Sequence, residues 1–140
     1  MRLPVLATAA LLLAAPLPAA AQGHYIAAPS AAELAAAAGD VLLVDIRRPE
    51  EWQATGVLPE AVLLTYEDPD AFLAALAPHL QDGRPLALIC RSGNRTSHAA
   101  ADLAPRLDVP VIDIAGGMLR LLAEGTTPSA PTRAQGCTTC

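Results

Sequence analysis

Apolar positions along this chain fall into short continuous runs, and helix-spaced stripes lie between them. Val41 to Asp45 is an unbroken β-branched and Leu run, the pattern of a strand buried on both faces. Ala61 to Leu64 reads as a short second strand, Leu86 to Cys90 as a third and Pro110 to Ile114 as a fourth. Ser30 caps a helix over residues 31–38, with Glu33 placed for a capping box, and Gly39-Asp40 stops it. Pro49 suits the first turn of a short helix carrying Glu50, Glu51 and Trp52, closed by Gly56. Asp68 or Asp70 caps a third helix, whose Phe72, Leu73, Leu76 and Leu80 share one stripe. Asn94 to about Ala104 reads as a fourth helix ended by Pro105, and Gly116-Gly117 opens a last one through Leu122. Strand and helix in alternation predict an α/β fold: a three-layer arrangement with a parallel sheet of about four to five strands and helices on both faces.

The two ends carry other signals. Met1-Arg2 puts a positive charge ahead of an apolar stretch from about Leu3 to Ala20, which ends in Ala19-Ala20-Ala21-Gln22. That is the order of a secretory signal, so residues 1–21 are expected to be removed and the protein to be periplasmic or secreted. Pro4, Pro16 and Pro18 interrupt the run and no basic cluster follows it, so no stable membrane insertion is expected after cleavage. Residues 22–29 read as a linker and residues 30–125 as the domain. Residues 126–140, rich in Thr, Pro, Ser and Gly, read as a flexible tail.

Composition narrows the function classes. Fourteen Asp and Glu against nine basic residues, all Arg, give a net charge of −5, which argues against a nucleic-acid partner. Three cysteines are too few for a disulfide-built miniprotein. Aromatics are only 3%, so Ala and Leu must fill most of the core.

Candidate chemistry lies where the third predicted strand ends. Cys90 closes that strand and is followed by Arg91-Ser92-Gly93-Asn94-Arg95-Thr96 and a helix start. In an open parallel sheet, ligands bind beyond the carboxyl ends of the strands. A tight loop at a helix start turns successive backbone N–H groups inward, and with two Arg it favours an anion or a thiolate at its centre. An ordinary free cysteine is only about 3% thiolate at pH 7. Such a setting raises that fraction roughly thirtyfold without a separate base. Cys90 is therefore the candidate nucleophile, with Arg91 to Thr96 as its anion-binding loop.

With these residues in view, the sequence resembles the rhodanese family over about Ser30 to Gly125. Three blocks carry the resemblance: Val44-Asp45-Ile46-Arg47-Arg48-Pro49-Glu50-Glu51-Trp52, Cys90 through Thr96, and Gly116-Gly117-Met118. The resemblance implies a rhodanese-like fold and a sulfurtransferase. In such an enzyme Cys90 takes sulfane sulfur from a small anionic donor such as thiosulfate, holds it as a persulfide and passes it to a thiol or cyanide. Arg95 matches the arginine that ends the family loop, and Arg91 a variable position that tunes donor choice. Four residues separate Cys90 from Arg95, whereas the related phosphatases resemble this loop with one residue more. Two positions depart from the family pattern: Val57 stands where a His is common, and Leu121 where a Trp is common.

Several groups have readings that stay open at this stage. Asp45 and Arg47 either line the pocket and orient the loop or form an ion-paired corner, with Arg47 and Glu51 spaced to pair across the helix start. His98, one turn past the loop, reads as a solvated or capping residue, and His24 and His79 have no partners at metal-ligand spacing. No metal and no cofactor are expected. Cys137-Thr138-Thr139-Cys140 reads as a local disulfide, or as a pair on a mobile tail that reaches Cys90 to accept or resolve its sulfur. The alternatives to an enzyme are a non-catalytic anion- or partner-binding module of the same fold, and a thiol–disulfide protein using Cys137 and Cys140.

Overall fold

The computed structural model describes residues 23–140, so the predicted signal segment lies outside the described residues. Five strands form one parallel sheet: β1 (His24–Ala27), β2 (Leu42–Asp45), β3 (Val62–Leu63), β4 (Leu86–Ile89) and β5 (Val111–Ile114), in the order β1-β5-β4-β2-β3. Between them run α1 (Ala31–Ala36), α2 (Pro49–Thr55), α3 (Pro69–Leu76), α4 (Asn94–Leu103) and, after β5, α5 (Gly117–Ala123). Every residue of β2, β4 and β5 is buried, which is why these strands are apolar apart from Asp45 and Asp113. The caps follow the sequence as well. Ser30 and Glu33 form the expected capping box, and of the two candidate aspartates it is Asp68 that caps α3, accepting from the Ala71 N–H at 2.8 Å.

Alternate residues of β4 feed the two cores. Leu86, Leu88 and Cys90 pack with Val44, Phe72, Leu76 and Leu103 under α3 and α4. Ala87 and Ile89 pack with Leu43, Leu34, Trp52, Met118 and Leu121 under α1, α2 and α5. Asp45 lies in register with Ile89, so β2 and β4 deliver Arg47 and Cys90 to the same carboxyl edge of the sheet. Leu121, where the family often has Trp, is fully buried in the second of these cores.

Both terminal segments differ from the sequence reading. Residues 22–29, expected as a linker, contain β1, which pairs with β5 from His24↔Val111 to Ala27↔Ile114. As a four-residue edge strand with His24, Tyr25 and Ile26 exposed, it has no inward–outward alternation to betray it. The expected flexible tail is packed. Val57 and Ser129 exchange main-chain hydrogen bonds of 2.8 and 2.9 Å, and the Leu63 N–H donates to the Gln135 carbonyl at 2.7 Å. Gln135 Nε2 donates to the carbonyls of Leu58, Pro59 and Ala61, Cys137 is fully buried, and Cys137 is joined to Cys140. The reason is backbone accounting. β3 has two residues and lies at the sheet edge, so its polar groups and those of residues 57–61 need partners, and the tail supplies them.

The packed tail makes a definite expectation for stability. Replacing both cysteines with alanine removes a short covalent loop worth about 2 kcal/mol. Tm should then fall by roughly 8 °C in a calorimetric scan. An unchanged Tm would mean the tail is loose after all.

Candidate active site

Cys90 follows directly on β4 and is only 1% exposed. The chain must reverse here from strand to helix, and Gly93 makes the turn at φ 97°, in the left-handed region. That conformation turns the Gly93 N–H back onto Cys90 Sγ, to which it donates at 3.1 Å. Thr96 Oγ1, fully buried, lies 3.7 Å from the same sulfur and donates to the Gly93 carbonyl at 2.9 Å. Ser97 Oγ is 3.0 Å from that carbonyl and 2.6 Å from the buried carboxylate of Asp113. The N–H groups of Arg91, Ser92, Asn94, Arg95 and Thr96 have no protein acceptor among the described residues. They surround the start of α4, where the helix dipole presents its positive end. The sulfur therefore has one amide donor in contact, and the same loop holds further uncommitted amides that an anion could use.

Three supports hold this loop. From behind, the first turn of α5 packs on it: the Met118 N–H donates to the Cys90 carbonyl at 2.9 Å and the Leu119 N–H to the Arg91 carbonyl at 3.0 Å. Only glycine fits at position 117, because a Cβ there would sit 2.4 Å from the Cys90 carbonyl oxygen. From the side, Arg95 makes a two-pronged ion pair with Glu51 of α2, at 2.7 and 2.6 Å. The Arg95 hydrogen bonds are the main cause that holds the Glu51 carboxyl below its ordinary value of 4.5, and the same contact raises Arg95. The third support is the Ser97–Asp113 contact, which ties α4 to β5 beneath the loop.

Asp45 and Arg47 form a buried corner, with exposures of 0% and 1%. Arg47 Nε donates to the Asp45 carboxylate at 2.9 and 3.1 Å, and Nη2 at 2.7 Å. Its remaining donors reach Thr55 Oγ1 at 2.6 Å, the Glu51 carbonyl at 3.3 Å and the Gly56 carbonyl at 2.8 Å. This corrects the expected Arg47–Glu51 charge pair. Arg47 takes the Glu51 main chain and spends its charge on Asp45, which frees the Glu51 carboxylate to turn toward Arg95. Burial decides the partner, because Asp45 is deep in the sheet edge whereas Glu51 lies near the surface.

The loop residues named from sequence divide by exposure. Cys90 and Thr96 are buried, Gly93 and Arg95 half-buried, and Arg91, Ser92 and Asn94 exposed. Arg91 has no carboxylate partner among the described residues. It lines an open cleft of about 640 Å³ with Arg48, Glu50, Glu51 and Arg95. His98 is exposed on α4 and makes no hydrogen bond to Cys90. Cys137 and Cys140 are not brought to Cys90, since Cys137 is packed in the core on the opposite face of the sheet. Val57, where the family often has His, is fully buried and pairs with Ser129 of the tail. Sequence reasoning missed the Glu51 link to Arg95, the Ser97–Asp113 contact and the carbonyl grip of α5. A buried-strand Asp facing a helical Ser was the one readable hint.

Two variants probe these supports. Arg47→Ala leaves the Asp45 carboxylate buried and unpaired, so unfolding free energy from urea titration should fall by about 3–5 kcal/mol. A loss under about 1 kcal/mol would mark the corner as a solvated pair. For Glu51 the folded carboxyl lies below 4.5, so its contribution is complete above that pH and is lost as pH falls through the lower folded value. The Tm gap between wild type and Glu51→Gln should therefore be widest near neutral pH and close as the pH falls below 4.5. A gap that stays constant over that range would contradict the ion pair.

Comparison with known proteins agrees with this geometry. The rhodanese-like domain family matches residues 29–124. A protein named sulfurtransferase from Allochromatium vinosum is 34% identical over 92 residues, spanning 66% of this chain and 81% of that protein. Among solved structures, a Rhodopseudomonas palustris protein of unknown function, described as a possible tyrosine phosphatase, aligns with TM-score 0.57 and 26% identity, covering 71% of this chain and 78% of the other. A rhodanese-related protein from Thermoplasma volcanium shares the fold with TM-score 0.52 and 24% identity, covering 70% and 92%. With its sheet order, its cysteine loop and this match across most of its length, the chain belongs to the rhodanese-like domain family.

Proposed function

We propose that this protein is a sulfurtransferase that carries sulfane sulfur on Cys90, taking it from a thiosulfate-like anion and giving it to a thiol or to cyanide. The observation that carries the reading is the Gly93 N–H aimed at a buried Sγ, within a loop whose other amides are uncommitted. The naming of the Allochromatium vinosum relative supports it.

The chemistry follows from those donors. The Cys90 thiolate attacks the outer sulfur of thiosulfate, a sulfur–sulfur bond forms, and the bond to the sulfonate sulfur breaks with its electron pair leaving as sulfite. Arg91, with no competing carboxylate, meets the dianion at the cleft, and the loop amides receive the charge of the new terminal sulfur. Arg95 is already committed to Glu51, so its part is to hold the loop's shape. An acceptor nucleophile then attacks the outer sulfur, and the Cys90 thiolate leaves. Four residues between Cys90 and Arg95 make the smaller ring of the two related loop types, which favours one sulfur at its centre over a phosphate. The charged start and apolar run of residues 1–21 support a periplasmic or extracellular location.

Mass spectrometry of the protein after thiosulfate exposure tests the proposal. Wild type should gain one sulfur atom at the Cys90 peptide and lose it on adding cyanide, with thiocyanate formed in equal amount. Cys90→Ser should gain none. No gain in wild type, or hydrolysis of an aryl phosphate in its place, would overturn the assignment.

A further inference from the structure

Next to the charged cleft is a second cavity of different character. It measures about 170 Å³ and is lined by Ala54 and Thr55 of α2, Met118, Leu119 and Leu122 of α5, and Arg91 of the loop. Glu51 and Arg91 also line the cleft, so the two spaces meet there. The Arg47 and Glu51 groups at its wall are already satisfied, by Asp45 and Arg95. What the cavity offers a ligand is hydrocarbon surface and, at its mouth, the Arg91 guanidinium. Leu119 is 45% exposed at this place, among the few large apolar side chains left open to solvent in the described residues. The cavity floor is coupled directly to the nucleophile's loop, through the Met118 and Leu119 N–H groups bonded to the carbonyls of Cys90 and Arg91. Neither thiosulfate nor cyanide has any use for such walls.

We infer that this cavity is an acceptor subsite, which selects thiols carrying a hydrocarbon group of about six carbon atoms. A closed apolar cavity of about 150 Å³ holds one benzene molecule, and that sets the size. The inference rests on the sulfurtransferase reading of Cys90 for its reaction step. The acceptor thiolate attacks the outer sulfur of the Cys90 persulfide, the new sulfur–sulfur bond joins it to the acceptor, and the electron pair of the broken bond returns to Cys90 Sγ. The product is an alkyl persulfide. The hydrocarbon group lies meanwhile between α2 and α5, which lowers the entropic cost of holding sulfur near sulfur.

The test uses single-turnover transfer from protein first loaded with thiosulfate and then freed of it, to ethanethiol, butanethiol, hexanethiol and octanethiol. These share one thiol acidity, so rate differences report binding. The second-order rate constant should rise about tenfold or more from ethanethiol to hexanethiol and then level off. In Ala54→Trp, where an indole fills the space, the rise should shrink to less than about twofold. Equal rates for all four thiols in wild type would overturn the subsite. So would a rise that continues through octanethiol alike in both proteins, which is non-specific adsorption. A second measurement is independent of loading: hexanol should shift the methyl NMR signals of Met118, Leu119 and Leu122 in wild type, and not in Ala54→Trp. Absence of those shifts in wild type would overturn the subsite even where Cys90 loads. Failure of Cys90 to load, with the hexanol shifts present, would overturn only the sulfurtransferase reading.

Discussion

A buried sulfur can find hydrogen-bond donors only in the chain itself, and much of this structure bears on the loop that supplies one to Cys90. Cys90 is 1% exposed and one amide already points at it. Turning that amide inward needs a residue with positive φ, so Gly93 stands at the head of α4. The loop's Cys90 and Arg91 carbonyls are in turn taken by the Met118 and Leu119 amides in the first turn of α5. For that approach α5 must begin with a residue that has no side chain, hence Gly117. Cys90, Gly93 and Gly117 are thus one device spread over three parts of the chain.

The same logic reaches α2. Its Glu51 holds Arg95 at the end of the loop, and α2 is itself fixed by Arg47, whose donors reach Thr55 and the carbonyls of Glu51 and Gly56. Arg47 keeps its charge in the interior because Asp45 is beside it. The tail completes the chain of supports. Ser129 pairs with Val57 just past α2, and Gln53 of α2 donates to Cys140 Sγ at 3.6 Å. The cysteine pair therefore contacts the helix that steadies the loop, on the same face of the sheet as that helix.

How much of this could be read beforehand depended on whether a feature was local. Central strands β2, β4 and β5 were legible because burial on both faces leaves only one polar residue each in β2 and β5 and none in β4, and the Cys90 loop because its residues are contiguous. β1 was not, since an exposed four-residue edge strand is under no such compulsion. Pro and Thr in the tail lack any period, and their hydrogen bonds go to residues some seventy positions away, as Gln135 to Leu58, Pro59 and Ala61 shows. Glu51 had two oppositely charged candidates, and spacing favoured Arg47 four residues before it. The choice of Arg95 rests on which cation Asp45 had already taken, and that depends on depth in the fold.

A crystal structure of the protein after thiosulfate soaking tests the central claim most directly. The expected result is density for a second sulfur bonded to Cys90 Sγ, inside the loop and within hydrogen-bond distance of its amides. An unmodified Cys90 with the anion held only at the rim by Arg91, or extra sulfur found at Cys137 or Cys140 instead, would contradict it.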